Sequence, residues 1–211
     1  HKQRRSRETL LPCAQARANA LAPDPADGAP PAPRVPGVQV LVDYPLAELV
    51  DYIDWTPFFS AWELAGKFPR ILDDAVVGEQ AQKLYADAQQ MLRRIVEERW
   101  LRANAVIGLF PANTINNDDI EIYADESREQ VLMTWRGLRM QSERPVVDGV
   151  KRPNRCLADF IAPKSTGIAD YIGLFAVTGG IGVQKREAAF EADNDDYSAI
   201  MLKALADRLA E

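Results

Sequence analysis

Eight apolar residues, Ala81, Leu84, Tyr85, Ala88, Met91, Leu92, Ile95 and Val96, recur three and four positions apart, with Gln, Lys, Asp and Arg between them. That spacing puts one continuous apolar stripe along a helix predicted over 79–102, and the stripe must be covered by other elements for the chain to fold. The covering material is close by in sequence. Val38, Val40 and Val42 form a short strand closed by Asp43 and Pro45. A helix follows over 46–52, with Asp43 as its cap, and a second begins at Asp54-Trp55-Thr56-Pro57, with Thr56 capping and Pro57 in the first helical position. The middle of the chain reads as strands at 105–110, 119–123, 130–135, 155–161 and 171–177, separated by loops at 112–118 and 142–154. Two helices, near 184–192 and 195–211, end it. Helices, then a block of strands, then helices predict an α+β fold with a bent, mainly antiparallel central sheet flanked by helices.

Residues 1–37 differ in character from the rest of the chain. Pro12, Pro23, Pro25, Pro30, Pro31, Pro33 and Pro36 remove backbone donors and bar long helices, leaving at most a turn or two near 14–21. This predicts a Pro/Ala-rich interdomain linker that packs on nothing and whose removal leaves the melting temperature unchanged. Its basic cluster at residues 2–7 suits a solvated linker better than a nuclear signal. Domain organisation is therefore 1–37 linker and 38–211 globular domain. The chain starts at His1 and stops inside a predicted helix, so it is expected to be a piece of something longer.

Charge and composition exclude several classes. Residues 1–37 hold six basic and three acidic residues, whereas the remainder holds 19 basic against 28 acidic. A globule that acidic is a poor nucleic-acid binder, because such binding draws on phosphate neutralisation. No apolar run reaches the roughly 18 residues of a membrane span, and no apolar run follows the basic start as a secretory signal would require. Cys13 and Cys156 are expected to be free thiols in a reducing cytoplasm. The single histidine, His1, removes histidine-based metal sites and Ser-His-Asp or Cys-His catalysis from the folded part.

Most local motifs have a structural reading. Val177-Thr178-Gly179-Gly180-Ile181-Gly182 follows a strand and precedes a helix, but no later strand carries the ribose-binding acid of a dinucleotide site, so a structural turn is expected. Lys164-Ser165-Thr166 lacks the glycine frame of a phosphate loop. The pairs Asp73-Asp74, Asp118-Asp119 and Asp195-Asp196 sit where carboxylates cap helices. Asp54 is different, set among Ile53, Trp55, Phe58 and Phe59. It either caps a helix or meets a cationic ligand attracted to carboxylate and ring faces, and the residues alone leave both open.

The string Tyr52-Ile53-Asp54-Trp55-Thr56-Pro57-Phe58-Phe59 resembles the opening of the S-adenosylmethionine-binding activation domain of cobalamin-dependent methionine synthase. The resemblance continues in order through Leu64-Ala65-Gly66-Lys67, Gly108-Leu109-Phe110-Pro111-Ala112-Asn113, Asp118-Asp119-Ile120-Glu121-Ile122-Tyr123, Cys156-Leu157-Ala158-Asp159-Phe160, Phe175-Ala176-Val177-Thr178-Gly179-Gly180 and Lys203-Ala204-Leu205-Ala206-Asp207-Arg208-Leu209-Ala210-Glu211. It runs from about residue 45 to the end. Departures are a longer connection at 142–154, an unlike segment at 181–187, and a missing second half with an arginine-containing loop, so the domain is expected to be incomplete on its C-terminal side.

The resemblance implies a part of the methyltransferase, inactive alone, that binds S-adenosylmethionine for reductive remethylation of cob(II)alamin. It implies Asp54, and less strongly Glu211, as ligand-binding residues, with no catalytic acid–base group and no metal ligand. Cobalamin would be held by a neighbouring cobalamin-binding domain of the same protein, and electrons would come from flavodoxin or a related flavoprotein. Two alternatives are an interaction module that docks on a cobalamin domain without holding ligand, and an independent methyltransferase built on a parallel sheet.

Overall fold

The computed structural model describes residues 9–22, 28–147 and 149–211, so the basic cluster at 2–7 lies outside the described residues. The chain forms two compact units, one of residues 1–38 and 108–174, the other of residues 39–107 and 175–211. Strands β1 (Gly37–Tyr44), β2 (Arg102–Ile115), β3 (Asp119–Tyr123) and β4 (Val131–Arg136) join in that order, and β7 (Asp170–Ile181) also pairs with β2. The β2–β3 and β3–β4 pairings are antiparallel, as is the small hairpin of β5 (Val146–Val147) and β6 (Val150–Lys151). With helices before and after the strands, the α+β expectation holds.

The second unit is built on the predicted stripe. Helix α4 (Gly78–Glu97) buries Ala81, Leu84, Ala88, Met91, Leu92 and Ile95. They pack in one core with Trp55, Phe58 and Phe59 of α3 (Trp55–Ala61) and Met201, Leu202 and Leu205 of α6 (Asp196–Ala210). Helix α4 ends at Glu97 and not at 102. Arg99 turns left-handed (φ 52°), and the Trp100 N–H reaches back to the Ile95 carbonyl at 3.0 Å. Trp100 and Leu101 are then buried on the way into β2. Between the two strands comes α2 (Leu46–Leu49), continued by a 3-10 turn over Val50–Tyr52. No side chain caps it, since Asp43 turns left-handed (φ 53°) inside β1.

The first unit centres on β2, β3 and β7, with Ala112, Ile120, Ile122 and Ile172 buried together. Strand β2 runs on to Ile115, where a loop was expected from 112. The reversal is confined to Asn116, Asn117 and Asp118, the two asparagines left-handed, a conformation asparagine tolerates better than most residues. Arg128 ties the strands by donating to the carbonyls of Ala112 and Asp170. The strand expected at 155–161 is a 3-10 turn, Leu157–Phe160. Asp159 accepts the Cys156 N–H at 2.9 Å and diverts the backbone from a ladder.

The linker expectation fails for residues 9–22. Helix α1 (Cys13–Ala18) buries Ala16 completely, and Arg17 Nε lies 2.6 Å from Asp118 Oδ2. The contact is made of hydrogen bonds and an ion pair, which is why a composition poor in large apolar residues hid it. Asp118 also meets Arg139, whose side chain is only 4% exposed and which pairs with Asp159 at 2.6 Å. Burial pushes the Asp118 carboxyl up, but hydrogen bonds from Arg139 and Arg17 outweigh it and hold the group below the usual carboxylate range. Its contribution to stability is therefore present above that range and fades as pH falls through the lowered value.

The double glycine is part of a strand and not a turn. Strand β7 continues through Gly179 and Gly180 to Ile181, and only Gly182 (φ 106°) turns, to start α5 (Val183–Ala192). A Cβ on Gly179 would sit 2.9 Å from the Leu209 carbonyl carbon and 3.0 Å from the Ala210 nitrogen, so the glycine lets α6 lie against the strand. At Gly180 the nearest atom, Ala206 Cβ, would be 3.5 Å away, an ordinary contact. Gly179→Ala should therefore cost about 1–3 kcal/mol in urea unfolding. Gly180→Ala should stay within about 0.5 kcal/mol of the parent, and equal effects at both positions would count against this packing.

Candidate functional site

Asp54 sits where the 3-10 turn of Val50–Tyr52 hands over to α3. It is the N-cap of that helix (φ −76°, ψ 108°), and its Oδ1 accepts the Thr56 N–H at 2.9 Å. The cap is thus Asp54 and not Thr56, and Pro57 falls at the third helical position. Thr56 Oγ1 instead accepts the Phe68 N–H at 3.3 Å, tying the next loop to the helix. Asp54 is exposed, and its Oδ2 accepts no hydrogen bond among the described residues.

The rings beside Asp54 in sequence point elsewhere. Trp55, Phe58 and Phe59 are buried, with Trp55 edge-on to Phe58 at 5.3 Å and to Tyr85 at 4.9 Å, and Phe59 stacked on Phe68 at 6.2 Å. Their faces are spent on one another. Tyr52, two residues before Asp54, is the exposed aromatic, at 85%. Both readings of Asp54 stay compatible with this geometry, since one oxygen caps the helix while the other accepts no hydrogen bond among the described residues.

Glu211 follows the last turn of α6. Arg208, one turn earlier, grips it with both terminal nitrogens, at 2.5 and 2.9 Å. Arg208 is the residue that sequence reasoning missed, and the i, i+3 spacing of opposite charges on a helix was the signal that could have found it. Glu211 borders an apolar cavity of about 460 Å³ lined by Tyr44, Leu49, Phe175, Val177 and Leu209. Asp54 does not line it, and no hydrogen bond joins the two carboxylates.

Of the other acid pairs two accept backbone N–H groups at helix starts, whereas Asp118 and Asp119 cap no helix and pair instead with Arg139 and Arg136 at the β2–β3 turn. Asp74 accepts the N–H groups of Val76 and Val77 before α4, and Asp195 accepts that of Ser198 at the start of α6. Tyr197 donates to Asp87 at 2.9 Å. Burial foremost, and that hydrogen bond next, push its phenol up to about 12, so it stays protonated at neutral pH.

Residues 45–211 match the family described as the activation domain of vitamin B12-dependent methionine synthase. The chain belongs to that family. A solved structure of the MetH reactivation domain bound to AdoHcy is 50% identical and superposes with a TM-score of 0.81, covering 95% of this chain. The chain spans 59% of the length of that structure.

The cap and the free oxygen can be separated by substitution. Asp54→Ala should lose about 1 kcal/mol in urea unfolding through the lost cap. Asp54→Asn keeps an acceptor at the same place and should lose only a few tenths. A full cap-sized loss with asparagine would show that the charge itself holds the fold.

Proposed function

We propose that this chain is part of the reactivation module of a cobalamin-dependent methionine synthase and binds S-adenosylmethionine for reductive remethylation of cob(II)alamin. The observation that carries the reading is the family match over 45–211, joined to 50% identity with a domain solved with AdoHcy, the product left when S-adenosylmethionine gives up its methyl group. Asp54 is the residue assigned to the cationic end of the ligand. It is supported by its unengaged oxygen and by the cap that fixes the other. Glu211 is the weaker assignment, because Arg208 already occupies its carboxylate.

Bound there, the methyl donor supplies a sulfonium-activated methyl group whose leaving group is a neutral thioether. The chain's own residues then have to bind and orient, not to shuttle protons. A neighbouring cobalamin-binding domain would present the cobalt, and flavodoxin or a related flavoprotein would supply the electron; no described helix is long and apolar enough to cross a membrane. A cytoplasmic setting belongs to the same proposal. The antiparallel β2–β3–β4 pairing does not suit the alternative of an independent methyltransferase on a parallel sheet. The other alternative, a docking module without ligand, is separated by direct binding.

In the full-length enzyme, Asp54→Asn should slow reductive remethylation about 10- to 100-fold, as expected for a lost charge-assisted contact of about 1.5–3 kcal/mol. Turnover from methyltetrahydrofolate should stay nearly intact, and equal loss of both activities would assign Asp54 to folding alone. A second measurement concerns the span of the chain. Two carboxylates engage few of the polar groups of S-adenosylmethionine, and an arginine clamp and further apolar cover are expected outside residues 1–211. Calorimetry should therefore find the 211-residue chain binding about a thousandfold more weakly than the complete domain. Comparable affinity would place the whole site within these residues and refute the assignment.

A further inference from the structure

The segment ahead of the family-matched region is held by a surface built for it. Leu10 bridges Ser142 in antiparallel fashion, with the Leu11 N–H donating to the Gln141 carbonyl at 2.8 Å and the Glu143 N–H to the Thr9 carbonyl at 3.0 Å. The Gln141 side chain adds a third bond, to the Leu11 carbonyl at 2.8 Å. Just past α1, the Asn19 carbonyl accepts the Asn154 N–H at 2.8 Å, and its side-chain amide donates to Arg152 O at 2.9 Å and Asn154 Oδ1 at 2.7 Å. Asn154 is fully buried, and its own amide is spent on the carbonyls of Met140 and Ser142. Between these two anchor points Arg17 closes on Asp118, whose other oxygen takes Arg139.

Two features make this more than a chance contact. The anchors fall at both ends of the segment and at or beside the 142–154 connection that is longer than the family resemblance implies. On the receiving side the fully buried Asn154 has its backbone N–H and its side-chain oxygen both engaged by Asn19 of the segment. A buried amide left without its partners would cost free energy, so the receiving surface favours the docked segment.

We propose that residues 9–22 are a strap that pins the upstream chain to the surface formed by residues 139–143 and 152–155, so that a domain joined ahead of Thr9 is delivered from that surface and not from the start of β1. Released, the chain from Thr9 to Pro36 would let the attachment point wander by about 30 Å, the root-mean-square reach of a flexible coil of that length. Docked, the strap removes that freedom and raises the effective concentration of the joined domain. The consequence for reactivation rests on the functional reading above, whereas the docking itself does not.

Cys13 is exposed on α1 and Cys156 is buried, so a thiol-reactive spin label takes the first selectively. A second label at Leu138→Cys, an exposed position beside the receiving surface, gives a distance across the contact by pulsed electron resonance. The 211-residue chain should show one narrow distribution. Arg17→Glu combined with Asn19→Ala, which sets like charges at Asp118 and removes the amide bonds, should broaden it. A broad distribution in the parent, or a narrow one in the double variant, would overturn the strap. In full-length enzyme the same double variant should reduce reductive remethylation by about tenfold while S-adenosylmethionine affinity holds. An unchanged rate would overturn the delivery role, and failure of ligand binding by the parent would instead indict the proposed function and leave the distance result standing.

Discussion

A helix of seven residues has no stability of its own in water, because nucleation costs more than so few hydrogen bonds return. Helix α3 exists because Trp55 and Phe59 find Tyr85 of α4 and Phe68 of the next loop, ring against ring at 4.9–6.4 Å, while Phe58 packs edge-on to both Trp55 and Phe59. Such contacts add about 0.5–1.5 kcal/mol each beyond the area they bury. The position of Asp54 follows from this packing, since the residue is the cap of a helix whose placement is decided entirely by its buried face. The long stripe on α4 is what makes the seat rigid, as it is buried from Ala81 to Ile95 against the same core.

The first unit is organised differently. Its apolar cluster is small, and much of its order comes from charged groups satisfied in the interior. Arg139 is the clearest case, donating to Asp118, Asp159 and the carbonyls of Asn117 and Asn154. Removing one partner from such a set leaves a buried charge uncompensated, which costs more than the pair contributes in net stability. The set therefore specifies geometry more than it adds stability. It fixes where the β2–β3 turn, the Leu157–Phe160 turn and the 152–155 segment meet.

That contrast explains what the sequence made legible. Where burial is apolar and periodic, as in α4, α6 and β3, the elements could be read to within a few residues. Misreadings fall where polar groups decide. The 155–161 segment has strand-forming residues, but Asp159 takes the Cys156 N–H and folds it into a 3-10 turn. The helix end at Glu97 depends on a left-handed Arg99 that no pattern announces. Residues 9–22 pack through Arg17, Asn19 and backbone carbonyls, which leave no trace in hydrophobic periodicity. Asp54 was singled out as a candidate by resemblance. Its role as the cap, in place of Thr56, needed coordinates, since either residue has the right side chain and they lie only two apart.

The two oxygens of Asp54 show how a residue proposed to meet a ligand can also be a structural one at little cost. The hydrogen bond from Thr56 N–H restricts rotation of the carboxylate and leaves Oδ2 without a hydrogen bond among the described residues. A free aspartate would lose that rotational freedom on meeting a ligand, whereas a capping aspartate has lost it already in folding. Its remaining oxygen is thus preorganised, and the energy that did so came from burying Trp55, Phe58 and Phe59 and not from any ligand. Glu211 is held in the same manner by Arg208, but with both oxygens engaged the preorganisation is spent on an ion pair. Of the two carboxylates the family resemblance singles out, only Asp54 combines a fixed orientation with an open acceptor, which is why the assignment to the cationic end of the ligand falls there.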